Sequence, residues 1–163
     1  MAKTTIYLDT SVINFLFASD APEKQEITVD FFDNFVKTGI YATFITPYVL
    51  AEINQTEDAA KRKKLIDVVE NYPIELLEVD KAQEVGQLAQ NYLESGVIPA
   101  KKLFDALHVS FCVVYNIDFL VSWNFKHLAN INRERRVLAK NYELGYIHPL
   151  RIITPTELTG YGN

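Results

Sequence analysis

Three acidic side chains and one amide stand at positions from which they can take part in the same chemistry. Asp9 ends a β-branched and aromatic run that predicts a strand, Glu52 lies on the helix after the next strand, and Asn124 follows a later strand. Asp105 lies in a segment that is apolar on nearly all sides, and carboxylates in such surroundings are scarce unless they are paired or bind a cation. If these groups converge, their repulsion requires a counter-ion, and hard oxygen donors suit Mg²⁺ or Mn²⁺.

Each of these residues also has a plainer interpretation. Asp9 stands before a helix start and can be an N-cap, whereas Glu52 can be a solvated helical side chain. The histidines lack the spacing of zinc ligands, and we interpret each as structural: His108, His127 and His148. Only Asp105 has surroundings that argue for a functional role without further information.

The surrounding pattern predicts how these residues are positioned. Strand-like runs alternate with helical segments, and they lie at Thr4–Leu8, Ile40–Thr46, Ile74–Val79, Asp118–Ser122 and Leu150–Ile153. This alternation predicts a single α/β domain over residues 1–163, with three α/β/α layers and a mainly parallel sheet of about five strands. In such sheets ligands bind outside the carboxyl ends of the strands, so we expect the acidic residues to meet there.

The helical segments have their own signals. An amphipathic segment runs from about Ala21 to Lys37, Pro47 opens the helix that carries Glu52, and Asp80 is predicted to cap a later helix. The segment from Lys101 to Tyr115 is apolar nearly all round, which is typical of a buried helix.

Composition limits the class of protein. The 163 residues are 48% hydrophobic and 23% charged, as in ordinary soluble globular proteins. Cys112 is the single cysteine and is interpreted as a core residue, so no disulfide is available, and a reducing compartment is favoured. We find no secretory signal and no membrane-spanning run, and therefore expect a cytoplasmic protein. The net charge of −5 opposes nucleic-acid binding through phosphate contacts alone, so a nuclease function would depend on a bound cation and local lysines.

Three segments together resemble the PIN-domain family, and within it the ribonuclease toxins of the VapC group. They are YLDTSVINFL at 7–16, TPYVLAEI at 46–53 and FDALHVSFCVVYNIDFLVSWNFKHL at 104–128. The resemblance extends from about Ile6 to Thr156. Its most specific element is DALH followed by a strand and SWN-x-x-HL.

The resemblance implies roles for particular residues. Asp9, Glu52 and Asp105 match the positions that bind Mg²⁺ or Mn²⁺ in an endoribonuclease. Asn124 stands where many relatives have a fourth acidic residue, and its neutral amide weakens the expectation of a second ion. Ser11 can orient a ligand or water beside Asp9, or simply begin a helix. The resemblance also implies an RNA substrate, a homodimer and, for a toxin, a small antitoxin protein that enters or covers the acidic cleft.

A basic stretch from Lys126 to Lys140 is predicted to be helical. Its lysines and arginines can receive RNA phosphates, with Lys126 and Arg133 as candidate contacts, although a solvated helix face is the more common explanation. Trp123 and Phe125 can stack on a base, but core packing is the favoured interpretation.

Two other functions remain open at this stage. One is a phosphatase-like enzyme that forms an aspartyl-phosphate on Asp9, although Ser11 stands where such enzymes usually have a second carboxylate. The other is a non-catalytic PIN-like binding module, which the neutral Asn124 and the acidic composition favour.

Overall fold

Short runs of apolar and β-branched residues pair into one five-stranded parallel sheet in the computed structural model, which describes residues 2–160. The strands are β1 (Thr5–Leu8), β2 (Ala42–Ile45), β3 (Ile74–Leu76), β4 (Phe119–Val121) and β5 (Arg151–Ile153). Their order is β3-β2-β1-β4-β5, with Tyr7 of β1 in register with Phe44 on one side and Leu120 on the other. The predicted parallel sheet is confirmed, and each strand is slightly shorter than its sequence pattern suggests.

Helices connect the strands and cover both faces of the sheet. They are α1 (Thr10–Asn14), α2 (Pro22–Phe31), α3 (Pro47–Asn54), α4 (Ala59–Asn71), α5 (Ala82–Glu94), α6 (Leu103–Val114), α7 (Ile131–Glu143) and α8 (Pro155–Thr159). A 3-10 turn, Phe15–Phe17, follows α1, and a π-helical turn, Phe32–Val36, continues α2. This arrangement confirms the three-layer α/β/α architecture.

The strand order creates a switch point at the centre of the sheet. From β1 the chain proceeds to β2 and β3 on one side, then crosses to β4 and β5 on the other. A crevice forms where connections leave adjacent strands in opposite directions, here at the carboxyl ends of β1 and β4.

Helices α3 and α6, which carry Glu52 and Asp105, are fixed by different means. Pro47 occupies the first turn of α3, where its missing N–H costs no hydrogen bond. Helix α6 packs against α5 and β4, and its residues from Ala106 to Val114 are all buried. The sequence prediction of a buried helix is thereby confirmed, and Asp105 lies in its first turn, just before the buried run.

Two local predictions are wrong. Asp80 does not cap α5, because its carboxylate accepts a hydrogen bond from the Tyr115 hydroxyl at 2.7 Å instead. The basic helix does not include Lys126, because residues 125–130 form turns and bends and α7 begins at Ile131, where the Asn130 side chain accepts from the N–H of Arg133.

The predicted domain of residues 1–163 includes positions 1 and 161–163, which lie outside the described residues. Across residues 2–160, no helix combines the length and the apolarity needed to cross a membrane.

Candidate active site

A cleft of about 360 Å³ opens at the carboxyl edge of the sheet, at the β1–β4 switch point. It is lined by Asp9, Thr10, Ser11, Asn14, Glu52, Gln55, Asp105, His108 and Asn124. The three carboxylates and the amide singled out in the sequence therefore line one cleft, although Glu52 and Asp105 are far from Asp9 in the chain. Ser11 lies in the same cleft.

Asp9 is buried at the end of β1, with 5% of its surface exposed. Its carboxylate accepts hydrogen bonds from the hydroxyls of Ser11 and Ser122, both at 2.5 Å, one on each oxygen. It makes no side-chain capping bond to α1, although it occupies the N-cap position. The simple N-cap interpretation is therefore wrong for the side chain. Burial raises the pKa of Asp9, and the charge of His108 and the two serine hydroxyls counter part of that rise.

Ser11 joins the two strands that border the cleft. Its hydroxyl donates to Asp9 and accepts from the backbone N–H of Trp123 at 3.0 Å. Ser122 has a parallel role, since its hydroxyl donates to Asp9 and accepts from the N–H of Asn124 at 3.0 Å. The segment after β4 is thus attached to Asp9 through two hydroxyl groups.

Glu52 is the last residue in a chain of hydrogen bonds that begins at Tyr7 of β1. The hydroxyl of Tyr7 lies 2.8 Å from that of Thr46 and 2.6 Å from Nδ1 of His108. Nε2 of His108 lies 2.9 Å from Oε1 of Glu52, which also accepts from the hydroxyl of Thr10 at 2.9 Å. Because both bonds reach Oε1, Oε2 is the oxygen of Glu52 that is available to a ligand.

The protonation pattern of this chain follows from the carboxylate. Burial alone would raise the pKa of Glu52, but the hydrogen bond and charge of His108, with the Thr10 hydroxyl, lower it overall. The ionised carboxylate only accepts, so Nε2 carries a proton. Nδ1 can then accept from Tyr7 or donate to it, because the Tyr7 hydroxyl has Thr46 as a second partner.

Asp105 is held differently from the other two carboxylates. It is half-buried, and burial raises its pKa while the positive charges of His108 and Lys102 counter the rise. Hydrogen-bonding hydroxyls like those of Asp9 are not among the causes of this shift. The charge of Asp105 is therefore offset mainly through space, by His108 and Lys102.

Asn124 lines the cleft, but its amide already has a structural role. Its side-chain oxygen accepts from the N–H of His127 at 3.2 Å, and its backbone oxygen accepts from Leu128 and Ala129. These bonds close the turns after β4. A ligand at Asn124 would share or replace the bond to His127.

The two predicted phosphate contacts are not among the residues that line the cleft. Lys126 is exposed in the turns after β4. Arg133 is half-buried, and its guanidinium donates to the backbone oxygens of His127, at 2.9 Å, and Val97. The arginine therefore ties α7 to two loops, which occupies donors that a phosphate would need.

The donor chemistry fits a hard divalent cation, whereas the spacing does not form a closed cage. Three carboxylates line the cleft, yet among residues 2–160 no three His, Cys, Asp or Glu side chains are gathered closely enough to hold an ion by themselves. Mg²⁺ usually keeps several waters and binds through one or two carboxylates together with substrate oxygens. An open acidic cleft suits that mode of binding and is unlike a four-ligand zinc site.

Three residues that contact the carboxylates of the cleft, directly or through one side chain, are not predicted from the sequence. His108 was interpreted as structural, yet it binds Glu52, and Tyr7 and Ser122 were not singled out. The signal for His108 is its spacing of three residues from Asp105, which places both on one face of a helix. Ser122 ends the strand-like run of β4, where hydroxyls meet Asp9 at the same sheet edge. Tyr7 has no comparable sequence signal.

Comparison with known proteins identifies the fold. No family model matches the chain, and no curated protein sequence matches it. Among solved structures, it is similar to a chain in the crystal structure of VapBC2 from Rickettsia felis bound to a DNA fragment from their promoter. The TM-score is 0.55 with 15% sequence identity, and the match covers 93% of this chain and 98% of that chain. The likeness concerns the fold, and with the parallel sheet it confirms the predicted PIN-like architecture.

We expect Tyr7→Phe to loosen Glu52 without altering any residue that lines the cleft. The change leaves the buried His108 Nδ1 and Thr46 hydroxyl without a partner, which should lower the free energy of unfolding by about 1–3 kcal/mol. It should also weaken Mn²⁺ binding, because His108 no longer holds Glu52 in one orientation. Denaturant unfolding and calorimetric titration of Mn²⁺ measure the two effects.

Tyr92→Phe is the matched control for that experiment. Tyr92 is also fully buried, and its hydroxyl donates to Asn141 away from the cleft. We expect it to destabilise the fold while leaving Mn²⁺ affinity unchanged. Equal losses of Mn²⁺ affinity in both variants would assign the Tyr7 effect to general loosening of the core.

Removing the charge of Asp105 should stabilise the metal-free protein. Because its pKa is raised, the ionised group opposes folding; this cost is absent below the usual carboxyl pKa, grows as pH rises from there to the raised pKa, and is constant above it. In EDTA, Asp105→Asn should therefore increase the free energy of unfolding by about 1 kcal/mol at neutral pH. The gain should vanish near pH ~4, the range of an unperturbed Asp. Excess Mg²⁺ should raise the melting temperature of the parent more than that of the variant.

Asp67→Asn, at a half-buried carboxylate of α4 outside the cleft, is the control for general effects of charge removal. Unfolding curves between pH 4 and 8 decide the outcome. A variant that is less stable than the parent in EDTA at every pH would make Asp105 a structural residue held by protein donors.

Proposed function

We propose that this chain, which has the PIN-like fold, is an endoribonuclease that hydrolyses RNA phosphodiester bonds with the help of Mg²⁺ or Mn²⁺. One observation carries the proposal. Carboxylates from three separate elements, Asp9 after β1, Glu52 on α3 and Asp105 on α6, line a single cleft with Asn124 at the β1–β4 switch point. Three carboxylates in one cleft repel each other, which disfavours folding. A site that binds a cation is therefore the better explanation for their presence together.

Asp9, Glu52 and Asp105 would hold the ion together with water and substrate oxygens, and the ion would supply an activated water and offset charge on the phosphate in an in-line displacement. The residues of the chain prepare this site. The serine hydroxyls fix both oxygens of Asp9, and His108 with Thr10 fixes Oε1 of Glu52. In the proposed reaction no side chain acts as the nucleophile.

Cationic groups near the acidic residues favour a phosphate substrate. Lys102 and His127 both influence the pKa of Asp105, so they lie close enough to act on a charge in the cleft. Lys126 is exposed and directly precedes His127 in the chain, so of the two predicted phosphate contacts, Lys126 and Arg133, it is the stronger candidate. Arg133 is a weaker candidate, because its guanidinium already binds two backbone oxygens.

An aspartyl-phosphate mechanism suits this geometry poorly. A nucleophilic Asp9 needs one exposed oxygen in line with the phosphorus atom, but Asp9 is buried and each oxygen accepts a serine hydroxyl. Phosphorylation would break at least one of these bonds. We therefore favour Asp9 as a ligand.

The proposal also includes a role in a toxin–antitoxin system. The chain would act as the toxin of a toxin–antitoxin pair in the cytoplasm, as a homodimer, with a small antitoxin protein covering the cleft. Support comes from the resemblance in the motifs and from the fold shared with a chain of VapBC2. A small open reading frame beside the gene would be the first sign of such a partner.

The central test is cleavage of RNA by the purified protein. We expect cleavage with Mg²⁺ or Mn²⁺, none with EDTA, and a loss of at least about 100-fold in Asp105→Asn, in line with removing a group that acts on the transition state. Gel analysis of a labelled RNA measures this, with Asp67→Asn as the folded control. Activity that survives EDTA or Asp105→Asn would refute the site assignment, and metal binding without cleavage would favour a binding module.

The neutral residue in the cleft gives a second test. Asn124→Asp adds a carboxylate beside the three present, and ligand charge is one determinant of affinity for hard cations. The new carboxylate can still accept the N–H of His127, so the turn is retained. We expect Mn²⁺ to bind several-fold more tightly by calorimetry. Equal or weaker binding would mean that Asn124 lies outside the coordination sphere.

A further inference from the structure

Phe125, which follows a residue that lines the cleft, has an exposed ring, although the sequence favours core packing for it. Trp123 is buried, with 7% of its surface exposed, as expected, but Phe125 is 54% exposed. The two residues flank Asn124, which lines the cleft. The core-packing interpretation is therefore right for Trp123 and wrong for Phe125.

The ammonium group of Lys24 lies close to three aromatic rings, among them that of Phe125. Nζ of Lys24 is 4.7 Å from the centre of the Phe125 ring. The same atom is 5.6 Å from the Phe15 ring and 5.7 Å from the Trp123 ring. All three distances are in the range of cation–π contacts, so Lys24 holds its charge over the exposed Phe125.

Hydrogen bonds fix this aromatic cluster to the wall of the cleft. Nε1 of Trp123 donates to the hydroxyl of Thr28 at 2.9 Å, and its backbone N–H donates to Ser11, which in turn binds Asp9. The N–H of Phe125 donates to the backbone oxygen of Trp123, and the Asn130 side chain donates to that of Phe125, both at 2.9 Å. The position of the ring is thus coupled to the acidic residues.

We propose that Phe125 is a stacking platform for one nucleobase of single-stranded RNA, and that Lys24 contacts the neighbouring phosphate. This proposal rests on the proposed ribonuclease function and names a contact for its substrate. An exposed ring beside a cation offers the two features that single-stranded nucleic acid binds, a π-face and a positive charge. Aromatic stacking tolerates every base, so the platform positions the strand without selecting a sequence.

The position of Phe125 in the chain suits this role, because Phe125 directly follows Asn124, which lines the cleft. Lys24 adds a positive charge beside the same ring.

The test is equilibrium binding of a short fluorescent single-stranded RNA with Mg²⁺ present. Every protein carries Asp105→Asn so that the RNA stays intact, which a gel confirms. Phe125→Ala should weaken binding on the order of tenfold, within the range for one stacked base, and Phe125→Tyr should restore it. Tyr142→Ala is the control, since Tyr142 is also 54% exposed but lies on α7 outside the cleft. Lys24→Met should reduce the slope of log affinity against log salt by about 0.7, as for one phosphate contact on a single strand.

An RNA series that carries one abasic nucleotide at successive positions identifies the stacked base. At that position the penalty of Phe125→Ala should disappear, because there is no base left to stack. If the parent binds RNA but Phe125→Ala costs nothing, or costs no more than Tyr142→Ala, the platform is refuted while the ribonuclease proposal stands. If the Asp105→Asn parent binds no RNA, the platform is refuted; if the wild-type chain does not cleave RNA with Mg²⁺, or Asp105→Asn still cleaves it, the proposed function itself fails.

Discussion

Burial of the Asp9 carboxylate at the end of the central strand is the constraint on which the rest of the site depends. A carboxylate without water is unfavourable unless donors or a cation replace the lost hydration. The chain supplies two hydroxyls, one from Ser11 after β1 and one from Ser122 after β4. Those same hydroxyls accept backbone N–H groups of the segment after β4, so satisfying Asp9 also fixes the loop that forms the far wall of the cleft.

The side of the cleft that carries Glu52 is held by a contact between two helices. Glu52 lies on a half-exposed turn of α3, and its position is determined by His108 of α6, 56 residues later in the chain. Nδ1 of His108 is hydrogen-bonded to the hydroxyl of Tyr7, a residue of β1, so β1 also orients the imidazole ring. The central strand therefore supports both carboxylates, Asp9 by position and Glu52 through two intervening side chains. Asp105 is held differently, since its charge is countered through space by His108 and Lys102.

Sequence patterns predict the fold, and which of the acidic residues line the cleft, because both follow from local periodicity and strand order. A parallel sheet allows the residues after β1 and β4 to converge at one edge, and the adjacency of these two strands brings them together; Asp105 stood out as an acid in an apolar helix. The pattern could not show that His108 reaches Glu52 or that Arg133 is held by Val97, since those pairings depend on how distant helices pack. It also placed Phe125 in the core, because an aromatic residue next to a strand has the same sequence signal whether its ring is buried or exposed.

The net charge of −5 opposes an RNA-binding function only if that charge acts uniformly over the surface. At physiological salt, charges further apart than about 8 Å are largely screened from one another. Under the proposed function, a phosphate at the cleft would therefore respond to nearby groups: the three carboxylates, and Lys102, whose charge acts on Asp105. A divalent ion at the carboxylates would remove most of the local negative charge, whereas the charge of Lys102 would remain. The same surface would then repel RNA without the ion and accept it with the ion, so that cation binding and substrate binding would be coupled without any change in the fold.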